Sequence, residues 1–302
     1  MKKDLRLWLA FAAIYIIWGT TYLAIKIGIE YIPPYIMASL RYFIAGGLLL
    51  MFCLIRRESI FSTNIGQNIV LGAFIMTFGQ ATAFWAEKYI SSGLTAVFNF
   101  LLPICYIIAD KRNWANYGKS KLTILSITLG IVGIVILFIS PAAASASHTG
   151  FITVLASAIT IAACFCWAAG SLYYKYHNKS GSLYANVGWQ LLGGMICCVI
   201  ISAVAGEWEN FDYRSVPWKA WTAVLYLAIA GSIVALVALY WLLARRPAAV
   251  VGTYAYVNPV IAVLLGYLIA DERISFFQIF GMVVILVSAY IANQVKFASG
   301  NG

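Results

Sequence analysis

Charged side chains are scarce in this sequence. They make up 10% of the 302 residues, and only ten of them are acidic, whereas a soluble domain is about a quarter charged. In their place, 63% of the residues are hydrophobic and the mean hydropathy is +0.89. No stretch is polar enough to form a soluble domain, so the composition predicts an integral membrane protein with lipid as its main solvent.

The residue groupings typical of catalytic, metal and nucleotide sites are also absent. The two histidines, His148 and His177, fall in predicted loops, and the sequence has no HExxH, GxGD or Walker pattern. The six cysteines lie in apolar runs without a CxxC pair, which is typical of small buried hydrophobes. We therefore expect no enzymatic activity, no metal and no cofactor.

Long hydrophobic runs dominate what is present. A helix needs about 20 apolar residues to cross a bilayer, and uninterrupted runs of that length favour helices over alternating barrel strands. The sequence predicts an all-α membrane protein with ten transmembrane helices, over residues 7–26, 35–55, 68–86, 91–109, 122–139, 151–174, 184–205, 220–244, 247–270 and 275–294.

The charges between these runs are unevenly distributed. If the N-terminus is cytoplasmic, the cytoplasmic segments carry 14 basic and three acidic residues, and the opposite side carries five basic and seven acidic residues. Because basic residues are enriched in cytoplasmic loops, we expect a multi-pass protein of the bacterial inner membrane with both termini in the cytoplasm. The net charge of +10 then indicates orientation and needs no nucleic-acid partner.

The chain also repeats itself weakly, which predicts two five-helix halves over residues 1–140 and 141–302. Five is an odd number, so the second half crosses the membrane in the opposite sense, as in transporters built from inverted repeats. The matched pairs keep the same order in both halves at separations of 149 or 156 residues: Trp18 and Trp167, Lys26 and Lys175, Arg41 and Gln190, Trp85 and Trp241, Pro103 and Pro259.

Three segments resemble one known family. They are IIWGTTYLAIKIGIEYIPPYIMASLRYFIAGGLLL from Ile16, FWAEKYISSGLTAVFNFLLP from Phe84, and YAYVNPVIAVLLGYLIADERISFFQIFG from Tyr254. All three are similar to EamA-type members of the drug/metabolite transporter superfamily. The resemblance implies ten helices in a 5+5 inverted repeat, a central cavity open to one side, and efflux of amino acids, metabolites or drugs. One departure is the end of the fourth span, where Asp110-Lys111-Arg112 replaces the acidic Glu usual in the family.

Arg41 is the sharpest candidate for a substrate-cavity residue. It lies in the second predicted span, roughly 10 Å from its outer end, where a charge costs about 2.5–3.5 kcal/mol unless it faces water or a partner. Glu87 is the nearest plausible counter-ion, and Glu30 is the alternative. A salt bridge that only joins two helices and a substrate or gating role both remain open.

Further candidates for the cavity are aromatic and amide side chains within the spans. Trp18 and Tyr22 share one helix face with Lys26, and Trp167 repeats Trp18. These aromatics would hold apolar or cationic groups, or serve only as a packing ridge with an interfacial lysine. Four amides would line the same cavity or simply hydrogen-bond helices together: Gln80, Asn99, Gln190 and Asn258.

Pro103 and Pro259 occupy matching places in the two predicted halves. Proline frees a backbone carbonyl and kinks a helix, so the pair is predicted to mark a hinge, with a static kink as the alternative.

Together these features predict a transporter that exports small metabolites, such as amino acids, or drug-like molecules by alternating access. The alternatives are a nucleotide-sugar or organic-phosphate exchanger of the same fold, and a non-transporting membrane receptor or assembly protein. The expected partners are a small-molecule substrate and the lipid bilayer. The oligomeric state is left open, and a monomer is compatible with the sequence.

Overall fold

The computed structural model describes residues 2–61, 63–90, 95, 98–99, 101–138, 151–178, 180–209, 211–270 and 275–294. Part of the fourth predicted span and the predicted loop with His148 lie outside these residues. Within them every regular element is a helix and none is a strand. The predicted fold class, an all-α membrane protein, is confirmed.

Twelve helices are described, and we number them in chain order. They are α1 Lys2–Ile29, α2 Pro34–Ile55, α3 Ile65–Ala86, α4 Leu102–Ala109, α5 Trp114–Lys119, α6 Lys121–Phe138, α7 Phe151–His177, α8 Leu183–Val204, α9 Trp218–Leu243, α10 Ala248–Val251, α11 Tyr254–Ala270 and α12 Phe276–Gln294. Six of these helices, α1, α2, α3, α7, α8 and α9, are long and apolar enough to cross a membrane by themselves.

Two of the predicted spans are not regular α-helices. Residues Ala73–Ala81 of α3 and Leu227–Val234 of α9 are wound as π-helices. Both helices are the third span of a predicted half, so the irregularity recurs at corresponding places. A π-helical turn widens the backbone and is often found at functional sites.

The ninth predicted span is divided, but the break does not lie at Pro259, the residue predicted to mark a hinge. The break falls at Gly252 and Thr253, between α10 and α11, whereas α11 continues through Pro259. Gly252 has a steric reason to be glycine, because a Cβ there would lie 2.6 Å from the ring of Tyr106. Pro103 sits in the first turn of α4, where a proline costs no hydrogen bond. The hinge role of the two prolines stays a prediction.

The packing of the helices has an approximate two-fold pattern. The first helices of the two predicted halves are α1 and α7, and α1 packs on α9 and α11 as α7 packs on α3 and α4. Likewise α2 packs on α9 as α8 packs on α3, while α2 meets α8 and α6 meets α12 directly. Exchange of the two halves leaves these contacts unchanged, which is the pattern expected of a repeat. The bounds 1–140 and 141–302 stay a prediction.

The same relation holds at the ends of α2 and α8. Each helix ends in a residue with positive φ, Arg57 at 56° and Gly206 at 67°. After each of them a glutamate N–H closes the helix, from Glu58 to the Cys53 carbonyl at 2.8 Å and from Glu207 to the Ser202 carbonyl at 2.9 Å. This is a helix C-terminus of the Schellman type.

Each glutamate then reaches the N-terminus of the equivalent helix in the other half. Glu58 accepts a hydrogen bond from Ser182 at the start of α8. Glu207 accepts from the backbone N–H groups of Tyr35 and Ile36 at the start of α2, each at 3.1 Å. A carboxylate is favoured at a helix N-terminus, so these two contacts join α2 and α8 at both membrane faces.

Replacement of Arg57 by glycine is expected to stabilise the protein by about 0.5–1 kcal/mol, because glycine adopts a positive φ without steric cost. Thermal unfolding of the purified protein in detergent measures the effect. Arg56 has φ −79°, so Arg56→Gly is the matched control and is expected to destabilise the protein. Shifts of the same sign in both variants would contradict the conformational explanation.

Candidate functional site

A cavity of about 90 Å³ lies between α1, α2, α3, α4, α7 and α11, and polar side chains form part of its lining. Eight of the nine predicted cavity residues line it: Trp18, Tyr22, Arg41, Gln80, Glu87, Asn99, Trp167 and Asn258. Lys26, on the same predicted face of α1, is exposed and does not line it. Ile25 and Glu87 lie near the predicted outer ends of their spans, and Asn99 lies near the middle of its span. The cavity therefore extends from the middle of the helices toward the predicted outer side.

Three aromatic rings from three helices form one wall of the cavity. The ring of Trp18 lies edge-on to Trp167 at 5.7 Å between centroids and to Tyr254 at 4.4 Å. The Trp18 indole N–H donates to the carbonyl of Gly231 in the π-helical part of α9, at 3.1 Å. The two tryptophans matched in sequence therefore contact each other in one wall of the cavity.

Arg41 is almost fully buried, with 1% of its surface exposed. Its Nε donates to Ser232 Oγ at 2.7 Å, and its Cζ lies 5.6 Å from the Tyr42 ring and 5.7 Å from the Phe84 ring. The structure does not show the salt bridge that the sequence left open: within the described part of the chain, no carboxylate lies within 4.0 Å of Arg41. Among the same residues its two Nη groups make no hydrogen bond, and the side chain lines the cavity.

The room for Arg41 comes from the π-helical segment opposite. An ideal Cβ on Gly231 would lie 3.1 Å from Arg41 Nη2, so this position in α9 favours glycine. Ser232, the next residue, supplies the hydrogen-bond acceptor for Nε. The segment therefore accommodates the guanidinium group by its shape and holds one of its three nitrogens.

Glu87 is the carboxylate of the cavity. It directly follows α3 and is half-buried, and among the described residues its side chain accepts no hydrogen bond. Burial raises the pKa of Glu87 to about 8, although the positive charge of Lys26 lowers it. Burial therefore favours the protonated, uncharged form of this carboxyl group.

The amides of the cavity differ in how fully they are hydrogen-bonded. Gln80 Oε1 accepts from the Tyr42 hydroxyl, and Asn99 Nδ2 donates to the Tyr22 hydroxyl, both at 2.9 Å. Asn258 Oδ1 is buried and has no partner among the residues that the structure describes. A buried acceptor without a donor is costly, so Asn258 is available to a ligand donor.

Gln190 lies outside this cavity. Its Nε2 donates to Asn68 Oδ1 at 3.0 Å, and its Oε1 accepts from the Tyr240 hydroxyl at 2.7 Å. Asn68 also donates to Asn186 Oδ1 at 2.8 Å. Gln190, whose position in the repeat matches Arg41, therefore joins α3, α8 and α9. It does not line the cavity, contrary to the prediction.

Several cavity residues were missed from the sequence, although some carried a signal. Phe84 follows Gln80 by four residues and precedes Glu87 by three, and Tyr254 precedes Asn258 by four, so each shares a helix face with a predicted residue. Ser232 carried no signal, because its role depends on the tertiary contact with Arg41.

A second polar cluster lies at the opposite, predicted cytoplasmic ends of the helices. Asp110 is buried and accepts hydrogen bonds from Tyr117 at 2.8 Å, Tyr176 at 2.7 Å and Asn113 at 3.0 Å. Burial, together with the charge of Asp110, holds the pKa of Tyr117 well above its usual range, so its hydroxyl remains a donor.

A further bond lies on the same side of the membrane. Lys175 Nζ donates to the carbonyl of Arg246, which follows α9, at 3.0 Å. These contacts tie α4 and α5 to α7, and α7 to the chain after α9, below the cavity. Asp110, where the sequence departs from the family pattern, is therefore the centre of these contacts. They lie on the predicted cytoplasmic side, and we call them the inner closure.

Apolar helices around a cavity that a buried arginine lines are the arrangement expected of a membrane transport protein. The EamA-like transporter family matches residues 6–139 and 150–294, and the chain belongs to this family. The resemblance to EamA-type members of the drug/metabolite transporter superfamily is thereby confirmed.

The relatives agree with this assignment. The chain is 32% identical to the "Uncharacterized inner membrane transporter YedA" of Escherichia coli (strain K12), over 98% of this chain and 93% of that protein. It is 24% identical to a "Probable amino-acid metabolite efflux pump" of the same organism, over 91% of each chain. One solved crystal structure matches with a TM-score of 0.76 and 18% identity, over 94% of this chain and 95% of the other, which supports the fold.

Removal of the Asp110 carboxylate by Asp110→Ala is expected to destabilise the protein by about 2–4 kcal/mol, because it leaves buried hydroxyl and amide donors without an acceptor. Thermal unfolding in detergent again measures the change. Glu30 is exposed, so Glu30→Ala serves as the control and is expected to change stability by less than about 0.5 kcal/mol. Equal losses in both variants would show that the inner closure contributes nothing.

Proposed function

We propose that this protein exports small amino-acid-type molecules across the inner membrane of a bacterium by alternating access, with both termini in the cytoplasm. The observation that carries the proposal is the buried guanidinium of Arg41. It borders the cavity, and no carboxylate within the described residues neutralises it.

A carboxylate is the substrate group that best fits Arg41. An unpaired charge inside a membrane protein is costly, and an arginine whose Nη groups are unbonded presents the fork that binds a carboxylate through two parallel hydrogen bonds. Binding of an anionic group would supply the counter-ion that the protein lacks. The free energy of that pairing would contribute directly to affinity.

The rest of the cavity suits an ammonium group and a modest side chain. Glu87 and Asn258 Oδ1 are acceptors on the same cavity, and Trp18, Trp167 and Tyr254 offer ring faces and edges. The volume of about 90 Å³ is well below the range of roughly 300 Å³ and more that is typical of drug-sized ligands. The relative named an amino-acid metabolite efflux pump supports the same substrate class.

The alternatives fit the cavity less well. A nucleotide sugar or organic phosphate carries more than one negative charge and needs several converging basic groups. Among the described residues that line the cavity, Arg41 is the one basic side chain. A non-transporting receptor or assembly protein would show no substrate flux and would be insensitive to the loss of Arg41.

Alternating access requires that the inner closure open while the outer half closes. The Asp110 cluster lies below the cavity, and the two π-helical segments lie beside it in corresponding helices. We place the movement between the halves 1–140 and 141–302, with Pro103 and Pro259 as the proposed hinge residues. The two glutamate contacts between α2 and α8 would form the axis that stays fixed.

Glu87 further supports exchange of substrate against a proton. When the cavity faces outward, a proton binds the Glu87 carboxylate as the substrate ammonium leaves. When it faces inward, the ammonium displaces that proton to the cytoplasm. The other charged and titratable groups on or beside the cavity are Tyr22, Lys26, Arg41, Cys164 and Tyr254.

Counterflow in liposomes that contain the purified protein tests the proposal. Labelled amino acids should accumulate above empty liposomes, and a nucleotide sugar and a cationic dye should not. Arg41→Gln should lower amino-acid uptake about 100-fold, since it removes one side of a buried charged contact. Glutamine fits the matching place in α8 as Gln190, so the variant is expected to fold.

Arg56→Gln, at the exposed end of α2, is the matched control and should leave uptake unchanged. Uptake by Arg41→Gln equal to that of the wild type would refute the carboxylate assignment. Absence of flux for all amino acids from folded wild-type protein would refute the transport proposal itself.

Substrate binding should also depend on pH. Below the pKa of Glu87 the ammonium must displace a proton, so affinity should fall up to about tenfold for each pH unit below 8. Above that pH the carboxylate is charged and affinity should level off. Titration calorimetry of the substrate found by counterflow measures this slope, and Glu87→Gln should abolish it. A slope that persists in the variant would assign the proton to another group.

A further inference from the structure

An apolar groove lies at the ends of the helices and shares no lining residue with the cavity. It has a volume of about 330 Å³ and is formed by the end of α4, the short helix α5 and the start of α6. We call it the α5 groove. Its lining residues are Ile107, Ile108, Trp114, Tyr117, Gly118, Thr123, Ile124 and Ile127.

The depth of the α5 groove places it at the boundary between headgroups and acyl chains. Ile107 and Ile108 belong to the last turn of α4, and Ile127 lies six residues into α6, which is about 9 Å along the helix. The groove therefore begins at a membrane face and runs into one leaflet. The charge distribution predicts that this is the cytoplasmic leaflet.

The polar atoms in the groove are already occupied. The Trp114 indole N–H donates to the Ile107 carbonyl at 2.7 Å, and the Tyr117 hydroxyl donates to Asp110 at 2.8 Å. Thr123 Oγ1 hydrogen-bonds Ser120 at 2.8 Å. The lining thus offers mainly carbon to an occupant, which fits a hydrocarbon chain and does not fit a polar metabolite.

The rim of the groove is strongly basic. Lys111, Arg112, Lys119 and Lys121 are all exposed in a segment of twelve residues, 110–121, whose one acidic residue is the buried Asp110. Within the described residues, no carboxylate lies within 4.0 Å of any of these four side chains. Basic clusters next to a membrane span attract anionic lipid headgroups.

We propose that the α5 groove is a binding site for one anionic phospholipid. An acyl chain fills the groove between α4 and α6, and the phosphate lies among Lys111, Lys119 and Lys121. The basic rim selects an anionic headgroup over a zwitterionic one. The apolar lining below the rim holds the acyl chain. The site is independent of the transport proposal, because none of its residues lines the cavity.

Gly118 allows the groove to be filled without disturbing the fold. An added Cβ at Gly118 meets no other atom within 4 Å, and leucine is a better helix former than glycine. Gly47 on the lipid-facing side of α2 has the same open surroundings. Gly118→Leu therefore blocks the groove, and Gly47→Leu is its matched control.

Native mass spectrometry of the full-length protein tests the site, with dioleoylphosphatidylglycerol and dioleoylphosphatidylcholine added in equal amounts. The wild type should retain one phosphatidylglycerol with about tenfold preference. Gly118→Leu should lose that bound lipid, and Gly47→Leu should retain it. Lys119→Gln combined with Lys121→Gln should abolish the preference while one lipid of either kind still binds.

Two results would overturn the proposal. One is equal retention of the two lipids by the wild type, which would mean only a general lipid contact. The other is retention of phosphatidylglycerol by Gly118→Leu at the wild-type level, which would place the anionic lipid elsewhere on the protein. Thermal unfolding without lipid shows that each variant is folded before its lipid is counted.

Discussion

The burial of one arginine charge governs the arrangement of the outer half of this protein. A guanidinium group in an apolar bundle must have room, hydrogen bonds and a counter-charge. The described residues supply the first through Gly231, part of the second through Ser232, and the third not at all. The π-helical turn in α9 and the aromatic rings around Arg41 are therefore features of one site, which the proposed anionic group of the substrate would complete.

The two halves share the same helix contacts but differ in the charge of one buried side chain. Glu58 and Glu207 make equivalent contacts, and both α3 and α9 contain a π-helical segment. Arg41 and Gln190 break this symmetry. The glutamine is satisfied by Asn68 and Tyr240 and leaves no unmet charge. The cavity therefore borders the charged copy, Arg41, and the neutral copy, Gln190, belongs to the hydrogen-bonded contact between helices.

Much of the scaffold followed from the sequence, because apolar length and loop charge act locally along the chain. The common position of Trp18 and Tyr22 on the cavity side of α1 also followed, since residues four apart share a helix face. The π-helical segments could not be predicted. A span that is apolar on every face has no polar–apolar periodicity, so a local change in the number of residues per turn leaves no pattern in the sequence. Gln190 was misplaced for a related reason. Its position in the repeat is equivalent to Arg41, but its hydrogen-bond partners come from helices distant in sequence.

The same short helix connects the inner closure to the surrounding lipid. Tyr117 of α5 lines the α5 groove with its ring and donates its hydroxyl to Asp110, and Asp110 in turn accepts from Tyr176 of α7. Movement of α5 away from α7 would break the contacts of Asp110 and reshape the groove together. The proposed lipid would hold α5 against α7. Opening of the predicted cytoplasmic side would then require that this contact be weakened along with the hydrogen bonds.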